Sequence, residues 1–301
     1  MDVDTRLLRY FVTVAEEGNL TRAAERLYVS QPALTKQIRQ LENRLGVRLF
    51  TRSRAGMALT EPGRALADRA PALLDGWDDA WRAATAASRR AARVLHVGYL
   101  ASAANEATPR IIAAFARRRP GWRVEMRQAP WSAPAAGLDD GAVDVALVRL
   151  PFPGQDGFRV EVLLTEPRCV ALPAAHPLAA RDAIAFRELW DEPFVAAPPE
   201  TGPWRDHWLG TADRDGREPR VGAVTEQPDD WLSAIANGLG VALAPASAAR
   251  FYARPGIVYR PVDGVAPSRV AVAWPAAADA NPVVRDFVAC CLDELPAGDG
   301  R

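Results

Sequence analysis

Residues 11–42 read FVTVAEEGNLTRAAERLYVSQPALTKQIRQLE, and this stretch decides the fold of the N-terminal part of the chain. Its apolar residues recur at helical spacing in three runs, and residues typical of helix ends separate the runs. Gly18 and Gly46 are predicted to end the first and third helices, while Thr21 and Ser30 are predicted to cap the second and third. The stretch therefore predicts three short helices with a tight turn between the second and the third.

The third predicted helix has a polar face opposite its apolar stripe. That face carries an amide, a hydroxyl and two basic groups, at Gln31, Thr35, Lys36 and Arg39. Most polar helix faces are simply solvated, but two short helices joined by a short turn can place the second helix in the major groove of DNA. We therefore interpret this face as a candidate DNA-reading surface.

The residues after this helix predict a two-stranded wing. Residues 49–60 read LFTRSRAGMALT, with Gly56 near the predicted tip. Arg52 and Arg54 would flank the third helix, on the DNA backbone or in the minor groove. The first sixty residues carry 10 Lys and Arg against 6 Asp and Glu, whereas the rest of the chain carries 27 against 31. This asymmetry favours an N-terminal nucleic-acid module joined to a different kind of domain.

These motifs resemble the N-terminal signature of the LysR-type transcriptional regulators. The resemblance runs through residues 11–42 and continues in Leu45-Gly46-x-x-Leu49-Phe50-x-Arg52 and Leu59-Thr60-x-x-Gly63. It implies a winged helix-turn-helix that binds double-stranded DNA, with the third helix facing the major groove. The candidate DNA-contacting residues lie on that helix, at helix starts or in the wing: Thr21, Ser30, Gln31, Pro32, Thr35, Lys36, Arg39, Arg52 and Arg54.

Lys36 stands where many members of that family have Arg. A lysine lacks the planar guanidinium fork that binds guanine through two hydrogen bonds. At this position we therefore expect contact with a DNA phosphate rather than readout of a base.

A long helix is predicted after the wing. Thr60 is its predicted cap, the helical period continues to about Arg90, and kinks are expected at Pro71 and Gly76. Its apolar stripe consists of Leu66, Ala70, Leu73, Trp77, Ala80 and Ala84. The family resemblance implies a linker helix that packs against its copy in a homodimer or homotetramer. A helix packed on its own domain is the alternative.

From residue 93 onward, short apolar strands alternate with helices, which is typical of a doubly wound α/β domain. Strands are predicted at residues 94–98, 124–128, 143–148, 169–172, 194–197, 221–225, 241–244, 257–260 and 270–274. Helices are predicted at residues 108–118 and 231–237 and near the C-terminus.

The resemblance implies an α/β fold in which an N-terminal winged helix-turn-helix and a long linker helix precede a two-lobed, periplasmic-binding-protein-like (type 2) effector domain. The expected division is residues 1–60 for the DNA-binding domain, 61–92 for the linker helix and 93–301 for the effector domain. Within the effector domain, lobe I is expected at 93–163 and 268–301, and lobe II at 164–267.

Two-lobed α/β domains bind ligands at the carboxyl ends of their strands. The candidate effector-binding residues in such positions are Ser102, Asn105, Trp131, Ser132, Arg149, Trp204, Thr225 and Glu226. Arg149 and Ser102 together favour a carboxylate, so a small organic or aromatic acid is expected. Arg149 could instead form a structural salt bridge, and Trp204 could belong to the core or to the lobe interface.

Catalytic, metal-binding and membrane classes have little support. The sequence contains no G-x-S-x-G elbow, P-loop or H-E-x-x-H motif, so we expect no enzymatic activity. Its three cysteines and three histidines are scattered, and we expect neither a disulfide framework nor a metal or other cofactor. No apolar run is long enough for a membrane helix, and the first residues form no apolar leader, so we expect a cytoplasmic chain.

The expected function is sequence-specific transcriptional regulation controlled by a small-molecule effector, with RNA polymerase as a further candidate partner. A solute-binding protein of the same two-lobed fold and an effector-independent, nucleoid-type DNA-binding protein are the alternatives. The DNA-reading helix argues against the first alternative. Binding without sequence preference would favour the second.

Overall fold

The computed structural model describes residues 4–53, 56–100, 103 and 106–295. Contacts within the chain divide it into two compact units, Met1–Thr85 and Ala86–Arg301. Each unit has a hydrophobic core of its own, so each is described separately.

The first unit consists of helices and one small hairpin around a compact core. Its elements are α1 (Thr5–Glu17), α2 (Leu20–Arg26), α3 (Gln31–Leu45), β1 (Phe50–Ser53), β2 (Gly56–Leu59), α4 (Glu61–Ala67) and the larger part of α5 (Ala70–Ala91). The apolar stripes of α1 and α3 meet in the core, where Phe11, Leu34 and Leu41 are inaccessible to solvent. The predicted three helices and wing are confirmed.

Asn19, and not Thr21, caps α2. The Oδ1 atom of Asn19 accepts hydrogen bonds from the backbone N–H of Thr21 at 2.8 Å and of Arg22 at 3.2 Å. The prediction of Thr21 as the cap is wrong because Asn19 is itself a strong capping residue and directly precedes the helix. The predicted cap at Ser30 is confirmed, since its hydroxyl accepts the N–H of Ala33 at 3.4 Å.

Two glycines allow the wing to lie against the end of α1. Gly18 ends α1 in the left-handed conformation, with a φ of +57°, and its carbonyl accepts the N–H of Met57 at 2.8 Å. A Cβ atom on Gly56 would lie 2.4 Å from the Gly18 carbonyl oxygen. A larger residue at Gly56 would therefore separate the wing from α1.

Glu42 connects the wing to α3 from the inside. Its carboxylate is buried and accepts the N–H groups of Leu49 at 2.9 Å and Phe50 at 3.3 Å, while Arg48 donates from the exposed side at 2.9 Å. Hydrogen bonds to a charged acceptor are stronger than neutral ones. This carboxylate therefore fixes where β1 begins relative to α3.

The long helix predicted after Thr60 is interrupted. Thr60 caps α4 as predicted, but α4 ends at Ala67, and α5 begins at Ala70 with Pro71 in its first turn. Proline lacks the N–H that would bond to the carbonyl four residues earlier, and its ring clashes with that carbonyl, which here belongs to Ala67, the last residue of α4. The helix α5 continues through Gly76 without interruption.

The second unit contains two lobes. Lobe I is built on a five-stranded sheet in the order β4-β3-β5-β13-β6, and lobe II on a four-stranded sheet in the order β11-β7-β12-β8 with an added parallel pair of β9 and β10. The strands are β3 (Val94–Leu100), β4 (Arg123–Ala129), β5 (Val145–Leu150), β6 (Phe158–Glu166), β7 (Arg168–Pro173), β8 (Ile184–Ala185), β9 (Pro193–Ala196), β10 (Arg220–Val224), β11 (Ala242–Pro245), β12 (Ile257–Asp263) and β13 (Ser268–Pro275).

Helices cover both lobes. They are α6 (Thr108–Arg118), α7 (Pro203–Leu209), α8 (Pro228–Ala236), α9 (Ala248–Phe251) and α10 (Pro282–Glu294). The chain leaves lobe I along β6 and returns along β13, and these two strands are antiparallel neighbours. The crossing points therefore lie side by side at the end of one sheet.

All nine predicted strands of this unit are present, but β6 and β8 were not predicted. The sequence of β6, FRVEVLLTE, alternates charged and apolar residues, as expected of an edge strand with one solvated face. Most of the predicted strands are instead short and largely apolar, as β5, β7 and β11 are. The search for apolar runs therefore missed the strand that crosses between the lobes.

None of the described helices combines the length and hydropathy needed to cross a membrane. Cys169, Cys290 and Cys291 are free and buried, and burial raises the pKa of each thiol, which keeps it protonated.

Replacing Glu42 by alanine should loosen the start of the wing. The N–H groups of Leu49 and Phe50 would lose their buried acceptor, which costs about 1–3 kcal/mol. Hydrogen–deuterium exchange of the full-length protein should show faster exchange at these two amides. Glu42→Gln keeps an acceptor oxygen and should have a smaller effect. Unchanged exchange in Glu42→Ala would show that the carboxylate does not position the wing.

Candidate functional site

The exposed face of α3 presents the polar residues identified in the sequence. Gln31, Lys36 and Arg39 are exposed, and Thr35 is half-buried between them. The Thr35 hydroxyl donates to the Gln31 carbonyl at 2.9 Å, and the Gln31 amide donates to the Thr35 hydroxyl at 3.3 Å. These bonds hold an amide and a hydroxyl side by side near the helix start, where base-reading residues of such helices lie.

The basic groups of this face are available to a ligand. Within the described part of the chain, neither Lys36 nor Arg39 forms an ion pair. A shallow groove on this face is lined by residues of α3: Pro32, Thr35, Lys36, Arg39, Gln40, Asn43 and Arg44. Gln40 and Asn43 are not among the residues that the sequence singled out, although their spacing of four from Lys36 and Arg39 places them on the same face.

The remaining DNA-binding candidates have different surroundings. Thr21 is exposed at the start of α2, and Ser30 caps α3 through its hydroxyl. Arg52 lies on β1, where it pairs in register with Met57 of β2. Arg54 lies outside the described residues.

A second candidate site is a cavity between lobes I and II. It encloses about 560 Å³ of space between atoms, part of which is open to solvent. Its walls are mainly aromatic and aliphatic, and the largest lining side chains are Trp131, Trp204, Trp208, Trp231 and Tyr252. Concave sites with such walls commonly bind small molecules.

The aromatic side chains form a continuous series across the cleft. Trp131 belongs to lobe I, and its ring centroid lies 6.1 Å from that of Trp204 and 5.8 Å from that of Trp231, both in lobe II. Trp208 and Tyr252 extend the series at 5.9 Å and 6.3 Å on either side. The backbone N–H of Trp131 also donates to the carbonyl of Glu226 at 2.9 Å. Trp131 thus links the two lobes through its ring and its backbone.

Arg149 lies at the cavity, but its guanidinium already has partners. It is almost fully buried, donates to Glu166 at 2.9 Å and to the Ser268 hydroxyl at 2.8 Å, and forms an ion pair with Glu166. Burial lowers the pKa of Arg149, and the Glu166 carboxylate opposes this effect. The alternative of a structural salt bridge, which the sequence left open, describes these contacts.

Glu166 also forms hydrogen bonds to lobe II. Its carboxylate accepts the backbone N–H of Ser247 at 2.8 Å and the Ser247 hydroxyl at 3.1 Å. Because Arg149 and Ser268 lie in lobe I and Ser247 in lobe II, one carboxylate joins both lobes at the crossing strands. The cation and the anion are thus both satisfied within the protein.

Three of the predicted effector residues line this cavity, and three others that the structure describes do not. Trp131, Arg149 and Trp204 line it, whereas Ser132, Thr225 and Glu226 are not among its lining residues. Ser102 and Asn105 lie outside the described residues. Sequence reasoning missed the three other aromatic lining residues, Trp208, Trp231 and Tyr252. The spacing of four between Trp204 and Trp208 was a signal that both lie on one face of α7.

His207 lies next to these tryptophans on α7 and is held neutral. Burial, together with the positive charges of Arg168, Arg149 and Arg269, lowers the pKa of its imidazole to about 3. Arg168, which has the largest effect of the three, donates to the His207 carbonyl and forms an ion pair with Asp213 at 3.2 Å. Protonation of His207 would therefore add a second positive charge close to Arg168 and beside the ring of Trp208.

Comparison with known protein families gives matches over both units. Residues 5–64 match the model described as "Bacterial regulatory helix-turn-helix protein, lysR family". Residues 88–296 match the model described as "LysR substrate binding domain". The two matches together cover nearly all the described residues.

Individual proteins show the same similarity. The chain is 36% identical over 248 residues to the HTH-type transcriptional regulator TfdS of Cupriavidus pinatubonensis, covering 82% of this chain and 84% of the relative. It is 32% identical over 298 residues to the Hca operon transcriptional activator HcaR of Escherichia coli, covering 97% and 98%. The solved structure of full-length CbnR with its target DNA is 26% identical, with a TM-score of 0.52 and coverage of 97% of this chain and 100% of that one.

The stability of the second unit should fall as the pH falls from about 6.5 towards 3. Below pH 6.5 the unfolded chain binds a proton at His207 that the folded protein does not bind, because the folded pKa is about 3. Between pH 6.5 and 5 the loss should be about 2 kcal/mol. Urea unfolding followed by tryptophan fluorescence at several pH values measures it.

Two histidine variants make this measurement specific. His207→Gln should flatten the dependence on pH, whereas His176→Gln, which removes a histidine elsewhere in lobe II, should retain it. If the wild type and His207→Gln lose stability equally between pH 6.5 and 5, another group is responsible.

Proposed function

The chain belongs to the LysR family of transcriptional regulators, and we propose that it reads a specific DNA site with the exposed face of α3. In this proposal Gln31 and Thr35 contact bases, while Lys36 and Arg39 neutralise phosphates. Arg52 and Arg54 extend the contact from the wing. We also propose that the chain catalyses no reaction, in keeping with a family of regulators.

The observation that carries this proposal is the pairing of Gln31 with Thr35 beside two basic groups that form no ion pair with the residues the structure describes. An amide can form two hydrogen bonds to adenine in the major groove, and a hydroxyl can contact any base. The bond between the two side chains restricts the rotamers of Gln31 before DNA arrives, which reduces the entropy lost on binding.

We propose that the cavity between the lobes is the effector site. A ligand held between Trp131 of lobe I and the tryptophans of lobe II contacts both lobes, so it favours one lobe arrangement over another. Such a difference in affinity is what a ligand needs to shift an equilibrium. The coupling to DNA binding would be modest, about 1–3 kcal/mol.

We propose that α5 pairs with α5 of a second copy. Three large apolar side chains lie along one side of this helix and are exposed to solvent: Leu73 at 60%, Trp77 at 51% and Trp81 at 65%. An apolar stripe of this kind is stabilised by a partner surface. A symmetric dimer would place two α3 helices on the two halves of a pseudo-palindromic site.

Gln31→Ala should weaken binding to the preferred DNA site by about 1–3 kcal/mol and relax the sequence preference. Selection from random oligonucleotides with the wild-type protein defines that site. Arg39→Ala should weaken binding to preferred and random DNA alike, and should reduce the slope of log affinity against log salt by about one.

The control for Gln31→Ala is Gln37→Ala, which removes the same side chain from the flank of the same helix and should keep the preference. Equal losses on selected and random DNA for Gln31→Ala would contradict base readout. A selection that enriches no sequence would instead support the nucleoid-type alternative.

Replacing Leu73 and Trp77 together by Asp should give monomers that bind full sites poorly. The two charges would have to be buried in the apolar α5 interface, which is energetically unfavourable. Sedimentation at micromolar concentration measures the association. Ala72→Asp with Ala83→Asp adds the same charge on the other side of α5 and should leave the dimer intact. A monomeric wild-type protein would refute the proposal.

A further inference from the structure

The charge balance of the cavity between the lobes determines which ligands it can accept. Among the described lining residues, Arg149 alone carries a permanent charge, and Glu166 neutralises it at 2.9 Å. An incoming carboxylate would lie close to the Glu166 carboxylate and would lose its hydration without gaining an unpaired cation. Burying a charge without a new partner is strongly unfavourable.

The walls of the cavity favour a flat, apolar ligand. Trp131, Trp204 and Trp231 present large rings at mutual angles of 47° and 82°, which is suited to edge-to-face and offset contacts with another ring. Aliphatic side chains from both lobes, including Leu100 and Leu243, complete the lining.

Two indole groups at the cavity have unused hydrogen-bonding capacity. The Nε1–H donors of Trp204 and Trp208 are buried and have no partner among the described residues. Both tryptophans line the cavity, and Trp204 as a whole is 5% exposed. A buried donor without an acceptor is unfavourable, so a ligand that supplies an acceptor oxygen gains from satisfying it.

We propose that the effector of this protein is a neutral, largely apolar aromatic molecule with a hydrogen-bond acceptor, and not a carboxylic acid. The acceptor binds the indole N–H of Trp204 or Trp208, the ring packs among the tryptophans, and Arg149 stays paired with Glu166. This inference rests on the proposed function, in which the cavity is the effector site. It replaces the organic acid that Arg149 alone would favour.

Calorimetric titration of the full-length protein at pH 8 with two matched pairs of probes tests the proposal. Benzamide and benzoate share a shape and differ in charge, whereas acetophenone and ethylbenzene differ in the acceptor oxygen. We expect benzamide to bind at least tenfold more tightly than benzoate, and acetophenone more tightly than ethylbenzene. Benzoate binding as tightly as benzamide, or no binding of either neutral acceptor probe, overturns the proposal.

Glu166→Gln gives a second test, because it leaves Arg149 charged while keeping an amide that can accept a hydrogen bond. The ratio of benzamide to benzoate affinity should shift at least tenfold towards benzoate. Glu161→Gln, an exposed position on the same strand, should leave the ratio unchanged. An unchanged ratio in a folded Glu166→Gln protein overturns the proposal.

A third variant is independent of the ion pair. Trp204→Phe combined with Trp208→Phe keeps the apolar walls and removes both indole donors, so acetophenone should lose its advantage over ethylbenzene. If the advantage persists, the indoles are not the donors and the assignment of the acceptor is wrong.

DNA binding measured with and without the probes distinguishes a failure of this inference from a failure of the proposed function. Sequence-specific DNA binding that responds to benzoate would overturn the ligand class and leave the regulator intact. A protein that binds all DNA sequences equally would overturn the proposed function, whatever the probes do.

Discussion

The buried ion pair between Arg149 and Glu166 is the interaction on which the second half of the molecule depends. Arg149 is the second-last residue of the central strand β5, and Glu166 ends β6, the strand that leaves lobe I. Ser268 begins β13, the strand that returns to lobe I, and accepts a hydrogen bond from Arg149. Ser247 belongs to lobe II and donates its backbone N–H to Glu166. Four segments that are distant in sequence therefore meet on one pair of charges. Removing either charge would leave the other buried, which gives the network its strength.

The first half of the molecule is organised by a second buried carboxylate. Glu42 lies on the inner side of α3 and holds the start of the wing, while the outer side of the same helix carries Gln31 and Arg39. The helix that presents the proposed DNA-reading face is thus also the helix that positions the wing. Both parts of the proposed DNA contact are therefore attached to α3.

The sequence predicts the fold well because the fold follows from local rules. Apolar spacing and helix-end residues located the three helices, and apolar runs located nine strands of the second unit. The missed strand β6 shows the limit of these rules, since its alternating charges resemble a solvated segment until a neighbouring strand is known. The cap at Asn19 shows a finer limit, because Asn19 and Thr21, two positions apart, are both residue types that cap helices.

The candidate cavity was less predictable than the fold. The sequence located Trp131, Arg149 and Trp204 at strand ends and in one loop, but the partner of Arg149 lies 17 residues away on the unpredicted strand. As long as its contact with Glu166 is unknown, Arg149 is interpreted as a cation that would bind an acid. A charge pair that depends on tertiary structure cannot be found from the spacing of one residue type. The most direct test of the account is a double-mutant cycle with Arg149→Met and Glu166→Gln, followed by urea unfolding. We predict that each single variant loses about 3–5 kcal/mol and the double variant clearly less than the sum, whereas additive losses would contradict the central role of this pair.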